Sequence, residues 1–118
     1  MSAQVACAVD QLSPGSAMLA TLTAADGRNV NVAVVRSDDG DFYAIDDLCS
    51  HGQVSLSEGE VEGCQIECWA HGARFDVRTG EASQLPAISP VATYPVSVDG
   101  TQVLVDVDSP QLSMKENA

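Results

Sequence analysis

Two short segments of this chain carry both of its histidines and two of its four cysteines. Cys49 and His51 are separated by one residue, Cys68 and His71 are separated by two, and sixteen residues lie between the two segments. Thiolate and imidazole are the ligands that soft and borderline metal ions prefer. The pattern therefore predicts a metal centre, and it constrains the fold because the two segments must come together.

The distribution of the four ligand residues distinguishes between kinds of metal site. A zinc finger usually takes its cysteine pair from one loop and its histidine pair from another, whereas each segment here carries one of each. A two-iron cluster needs two ligands on each iron, and in Rieske centres cysteines hold one iron while histidines hold the other. The pattern favours such a [2Fe-2S] cluster, and one tetrahedral zinc ion is the alternative.

The residues around the ligands resemble a known family. Cys49-Ser50-His51 and the segment from Cys68 to Asp76 are similar to the cluster motifs of Rieske-type [2Fe-2S] ferredoxins. Specifically, the sequence resembles the ferredoxin components of aromatic-ring dioxygenases, of the phenylpropionate/cinnamate and biphenyl type. It extends from about Asp10 to Val107 and implies a Rieske-like fold.

The same resemblance implies roles for the ligand residues. Cys49 and Cys68 would bind the inner iron, and His51 and His71 the outer iron near solvent. It also implies a third loop packing over the cluster, where Leu85-Pro86-Ala87 stands. The cofactor expected is one Rieske-type [2Fe-2S] cluster.

Four positions indicate a low reduction potential. High-potential Rieske proteins have a disulfide joining the cluster loops, and Ser and Tyr hydroxyls that donate to sulfur. The matching positions here are Val54, Ala70, Ala73 and Phe75. Hydrogen bonds to sulfur stabilise the added electron, so their absence lowers the potential. We expect a value near the bottom of the Rieske range, about −150 mV.

Short apolar segments between turn signals predict an all-β fold, an antiparallel β-sandwich or barrel with a small inserted cluster-binding subdomain. The chain of 118 residues is expected to form a single domain, 1–118, with the subdomain at about 46–81. Predicted strands include residues 5–9, residues 29–36 with one apolar face, residues 60–67 as one strand, and residues 91–98, where Pro95 indicates an edge or a bulge. A proline-rich connection is expected at 86–90.

Composition excludes some partners. The net charge of −12 argues against nucleic-acid binding, which needs a basic surface. The acidity serves either solubility or steering toward a basic partner. We interpret Asp46 and Asp47 as solvated turn charges. Cys7 and Cys64 are expected to be small buried residues without a disulfide between them.

The start of the chain lacks the features of a signal peptide, and no apolar run is long enough to span a membrane. We therefore expect a cytoplasmic protein with no membrane partner.

The favoured function is one-electron transfer rather than catalysis. The carrier would receive electrons from a flavin-dependent ferredoxin reductase and pass them to a terminal oxygenase or another redox protein, docking near His51 and His71. Trp69, where the family commonly has proline, suggests instead a subgroup associated with iron–sulfur assembly. The alternatives are thus a redox accessory of cluster assembly and a small subunit of a nitrite reductase-like enzyme.

Overall fold

The computed structural model describes residues 3–47, 55–67, 74–84 and 91–108. Within these ranges the strands are β1 (Ala3–Ala8), β2 (Ser16–Thr23), β3 (Asn29–Arg36), β4 (Phe42–Asp46), β5 (Glu60–Glu62), β6 (Gln65–Glu67), β7 (Arg74–Asp76), β8 (Ala82–Gln84), β9 (Thr93–Tyr94), β10 (Val96–Asp99) and β11 (Gln102–Asp106). Two short 3-10 helices, Val9–Gln11 and Leu56–Glu58, complete the regular structure of these ranges. The expected all-β class is confirmed.

The strands form three antiparallel sheets. The outer sheet has the order β1-β11-β10, the middle sheet β2-β3-β4-β9, and the third sheet β5-β6-β7-β8. We call the third the loop-bearing sheet, because its strands flank the second ligand segment. It is inserted in the sequence between β4 and β9, which are neighbours in the middle sheet.

The middle sheet has a hydrophobic core on each of its faces. Val32 and Val34 pack with residues of the outer sheet, while Ala33 and Val35 pack with residues of the loop-bearing sheet. The prediction of one apolar face for residues 29–36 was therefore wrong. Successive side chains of a strand point to opposite faces, and here both faces are covered from Val32 to Val35.

The expected strand at residues 60–67 is two strands joined by a tight turn. Glu62 pairs with Gln65, which leaves Gly63 and Cys64 as the turn between β5 and β6. Gly63 has φ +61°, and a glycine at the first turn position is typical of type II′ hairpins. Cys64 is thus a turn residue, half-buried against the core beside it.

Pro95 divides the predicted strand at residues 91–98. β9 ends before it, at the edge of the middle sheet, and β10 begins after it, at the edge of the outer sheet. The expectation of an edge position is confirmed. The physical reason is that proline has no N–H group and cannot continue the hydrogen-bond ladder of a strand. β8 precedes the proline-rich connection and was not predicted; residues 85–90 lie outside the described ranges.

Cys7 is buried as expected, in the core between the outer and middle sheets. Val5, two residues before Cys7 in the same strand, is exposed, because the register of β1 against β11 shifts between Val5 and Cys7. Such a bulge moves neighbouring side chains to opposite faces. Cys7 and Cys64 are both free thiols and belong to different cores.

Within the described ranges, no helix has the length and apolar character needed to cross a membrane.

Candidate metal centre

The four predicted ligands, Cys49, His51, Cys68 and His71, lie outside the described residues. Among the residues that the structure does describe, no cluster of potential metal ligands forms. The site is therefore defined by the stems, the residues at which each ligand loop leaves and rejoins the fold.

The second loop connects β6 and β7. Glu67 of β6 pairs with Arg74 of β7, and residues 68–73 lie between them. Cys68 follows Glu67 directly in the sequence. The loop therefore begins at the end of the β6–β7 ladder marked by this pair.

The third loop begins at the same end of the sheet. β8 runs antiparallel to β7, and its last residue, Gln84, pairs with Arg74. Residues 85–90 then lead to Val91, whose N–H donates to the Gly80 carbonyl oxygen at 2.8 Å. The segment Leu85-Pro86-Ala87 thus follows a strand end that lies beside the second loop.

The first loop, residues 48–54, is closed by hydrogen bonds at its stem. The Leu56 N–H donates to the Asp47 carbonyl oxygen at 2.6 Å, and the Ser57 N–H donates to Asp47 Oδ1 at 2.9 Å. The Asp47 N–H donates to the Asn31 carbonyl oxygen at 3.1 Å, which fixes the stem to the middle sheet.

Asp47 is not the solvated charge that the sequence suggested. It is only 4% exposed, and burial of a carboxylate requires hydrogen-bond donors such as the Ser57 N–H. The signal available in the sequence was its position two residues before Cys49, at the end of an apolar strand.

The first and second loops meet at their stems. Glu60, which follows the helix Leu56–Glu58 after one residue, pairs with Glu67. The outgoing stem of the first loop therefore lies beside the ingoing stem of the second. At least one stem of each of the three loops therefore lies at the same end of the loop-bearing sheet.

The core beneath these stems is apolar. Leu56, Ile66 and Phe75 are fully buried in the core shared with the middle sheet. Phe75, which the resemblance matches to the tyrosine of high-potential Rieske proteins, has a ring without a hydroxyl group. Ala73, the other position in that comparison, lies outside the described residues.

The solvent face of the loop-bearing sheet is acidic. Glu60, Glu62, Gln65, Glu67 and Arg74 line an open groove of about 290 Å³. Arg74 Nη1 lies 3.0 Å from Glu62 Oε1, and Arg74 Nη2 lies 3.5 Å from Glu67 Oε1. One guanidinium thus faces three carboxylates, so the groove is net negative next to the loop stems.

A second ion pair lies farther from the loops. Arg78 donates to both carboxylate oxygens of Asp76, with Nε–Oδ1 and Nη2–Oδ2 distances of 3.1 and 3.0 Å. These hydrogen bonds lower the pKa of Asp76 and raise that of Arg78. The pair closes the turn after β7 and is structural.

The predicted donor set fits a two-iron cluster. Two thiolates and two imidazoles would come from two loops whose stems are neighbours in the loop-bearing sheet, and an apolar core lies beneath those stems. The same donors also satisfy zinc, so relatedness must decide between the metals.

Comparison with known proteins separates these possibilities. The family model for the Rieske [2Fe-2S] domain matches residues 2–95. The ferredoxin component of the p-cumate 2,3-dioxygenase system of Pseudomonas putida is 41% identical over 102 residues, covering 86% of this chain and 82% of that protein. The biphenyl dioxygenase ferredoxin subunit of Pseudomonas sp. strain KKS102 is 40% identical, covering 86% and 88%.

Solved structures agree with this relationship. A chain from the complex of reduced oxygenase and oxidised ferredoxin in carbazole 1,9a-dioxygenase superposes with a TM-score of 0.81 at 32% identity, covering 95% of this chain and 98% of that one. A putative nitrite reductase small subunit superposes with a TM-score of 0.73 at 22% identity, covering 89% and 98%, and shows the shared fold alone. The resemblance to Rieske ferredoxins is confirmed: this chain belongs to the Rieske [2Fe-2S] domain family.

Proposed function

We propose that this protein is a one-electron carrier that receives electrons from a flavin-dependent ferredoxin reductase and passes them to a terminal oxygenase. The observation that carries this is the relationship to named dioxygenase ferredoxin components, which extends over more than four-fifths of their length. A Rieske-type [2Fe-2S] cluster supplies the chemistry, because it accepts and releases one electron. The chain's own residues hold the cluster and present it to partners.

The ligands in this proposal are Cys49 and Cys68 on the inner iron and His51 and His71 on the outer iron. The neighbouring stems of the two loops support this assignment. Histidine ligation replaces two negative thiolates by neutral imidazoles, which raises the potential above that of four-cysteine clusters. The absence of hydroxyl groups at Ala73 and Phe75 supports a reduction potential low within the Rieske range.

Partners would dock at the loop end of the molecule, near His51 and His71. The related carbazole dioxygenase structure is a complex of oxygenase with ferredoxin. This chain has a net charge of −12 and an acidic groove of Glu60, Glu62 and Glu67, which favour partners whose docking face is basic.

We further propose a cytoplasmic location and a single domain, 1–118, with a cluster-binding subdomain at about 46–81. The two free thiols Cys7 and Cys64 support a reducing compartment. The insertion of the loop-bearing sheet between β4 and β9 supports the subdomain, although that sheet continues to Gln84.

The test combines spectroscopy with matched cysteine variants. Anaerobically purified protein should be red-brown, and its reduced form should give an electron paramagnetic resonance (EPR) signal with the low average g-value of Rieske centres. Cys68→Ala and His71→Ala should lose the cluster, whereas Cys64→Ala, a nearby cysteine assigned no ligand role, should retain it. Colourless wild-type protein with one bound zinc ion would contradict the proposal.

The electron-transfer step needs its own measurement. Reduced protein mixed with an aromatic-ring oxygenase should be reoxidised in stopped-flow experiments, and a ferredoxin reductase with NADH should reduce it again. Failure with both partners, despite an intact cluster, would favour the nitrite reductase-like or cluster-assembly alternatives.

A further inference from the structure

Gly59 lies at the point where the stem of the first ligand loop touches the stem of the second. Its N–H donates to the Leu56 carbonyl oxygen at 2.9 Å, which ends the short helix Leu56–Glu58. A Cβ atom at this position would overlap the carbonyl oxygen of Glu67 and lie 3.0 Å from its carbonyl carbon. Only a residue without a side chain fits there.

The requirement is one of space and not of backbone conformation. Gly59 has φ −83° and ψ −173°, which residues with side chains adopt readily. The close contact is with backbone on the neighbouring strand, which is held in a ladder by the Glu60–Glu67 and Glu67–Arg74 pairs. A methyl group at Gly59 would therefore have to displace the Glu67 peptide, immediately before Cys68.

Hydrogen bonds to Asp47 also hold this stem on the side away from Glu67. Asp47, two residues before Cys49, holds Ser57 through its side chain and Leu56 through its carbonyl oxygen. Leu56 is fully buried, so this segment cannot shift into solvent without loss of core packing. A continuous set of contacts thus runs from Asp47 through residues 56–59 to Glu67.

We propose that this stem is a spacer that sets the separation of the two ligand loops, with Gly59 as a positioning residue for the cluster. The inference rests on the proposed function, because it assumes that both loops hold one [2Fe-2S] cluster. Residues that orient metal ligands without binding the metal commonly change metal affinity by about 10- to 100-fold when replaced. Gly59 would act in this way through the Glu67 backbone.

The experiment compares Gly59→Ala with Gly63→Ala. Gly63 lies in the turn at the other end of the β5–β6 hairpin, and a Cβ there meets nothing within 4 Å. Its φ of +61° makes alanine strained but not obstructed. Gly63→Ala thus lowers the stability of the same hairpin without moving the loop stems.

For Gly59→Ala we expect cluster loss to a chelator to be faster by roughly tenfold or more, with altered EPR g-values of the reduced protein. Gly63→Ala should keep the wild-type g-values and loss rate. Wild-type g-values and loss rate in Gly59→Ala would overturn the inference. Absence of a Rieske signal in the wild-type protein would instead refute the proposed function, so the two failures are distinguishable.

A second pair of variants applies if Gly59→Ala does not fold. Asp47→Ala removes the acceptor for the Ser57 N–H, whereas Asp47→Asn keeps an oxygen there. We expect faster cluster loss in Asp47→Ala and near wild-type retention and g-values in Asp47→Asn. Equal rates of cluster loss in the wild type and Asp47→Ala would overturn the inference that this stem acts as a spacer.

Discussion

Replacing Leu56 by alanine should be among the most destabilising single truncations near the site. Leu56 is 0% exposed and packs in the core that also contains Ile66 and Phe75. It also connects the first ligand loop to that core. Truncation to alanine removes most of the buried side chain and leaves a cavity beneath the loop stem.

The size of the effect depends on how far the surroundings can fill that cavity. Leucine-to-alanine changes in cores cost roughly 2.7–5.0 kcal/mol, with the larger values where collapse is restricted. Here the Leu56 N–H is bonded to Asp47 and its carbonyl oxygen to Gly59, at 2.6 and 2.9 Å, so the backbone cannot move inward freely. We therefore expect about 4 kcal/mol, a large share of the roughly 5–15 kcal/mol typical of a folded domain.

Anaerobic guanidinium titrations of the cluster-loaded protein, followed by far-ultraviolet circular dichroism and cluster absorbance, would measure this. The matched control is Leu19→Ala, because Leu19 lies in the middle sheet but is 46% exposed. It should cost less than about 1 kcal/mol. A difference between the two variants below about 1 kcal/mol would refute the reasoning, since the whole expected difference arises from burial.

Three further predictions concern potential, salt and pH. Phe75→Tyr should raise the reduction potential by some tens of millivolts, because a hydroxyl hydrogen bond to sulfur stabilises the reduced cluster and 59 mV corresponds to a tenfold change in the equilibrium constant for one electron; protein-film voltammetry measures this, and a wild-type value above roughly +100 mV would contradict the low-potential assignment. Electron transfer to the oxygenase should slow as ionic strength rises, because attraction between exposed charges is largely screened beyond about 10 Å at 0.1 M ionic strength; stopped-flow rates that do not change with salt would indicate an apolar docking face. The hydrogen bond from Arg78 lowers the pKa of Asp76 in the folded protein. The ion pair therefore stabilises the folded state above the unfolded carboxyl pKa of about 3.9, and this contribution is lost as pH falls through the lower pKa of the folded state. Asp76→Asn should therefore have a lower melting temperature than the wild type at pH 7, and the difference should disappear below about pH 4. A difference in melting temperature that stays constant over this pH range would contradict a stabilising role of the Asp76–Arg78 pair.

The turns were the most predictable part of the fold. Asp-Gly dipeptides at residues 26–27, 39–40 and 99–100 each mark a turn between paired strands, and Gly27, Gly40 and Gly100 all have positive φ. Glycine tolerates that conformation at little cost, and the dipeptide is thus a local signal for a hairpin. Local signals of this kind need no knowledge of the tertiary structure.

The wrong sequence predictions concern features that depend on tertiary contacts. Ala33 and Val35 are buried because the loop-bearing sheet, residues 60–84, packs over them, and nothing within residues 29–36 indicates that cover. The turn at Gly63 was overlooked because polar and apolar residues alternate on both sides of it, around Val61 and around Ile66, as they do in a continuous strand. β8 is too short to show a period.

The metal ligands and the loop stems also differ in how far the sequence alone predicts them. Cys49, His51, Cys68 and His71 were assigned from residue type and spacing, and they remain a prediction because the structure does not describe them. The contact of Gly59 with the Glu67 carbonyl has no sequence signal beyond a glycine after a polar segment. It follows only from the pairing of β5 with β6.

The pairing of β1 with β11 has a consequence for synthesis of the chain. Ala3 lies opposite Asp106 and Ala8 opposite Gln102, so the first described strand is completed by the last. On the ribosome, residues 49–71 emerge before β11 exists. A chain interrupted before residue 102 would carry all four predicted metal ligands while β1 still presented unpaired N–H and C=O groups, the condition in which nascent chains associate with one another. Folding of the outer sheet must therefore wait until β11 has been synthesised, however early the predicted metal ligands are made.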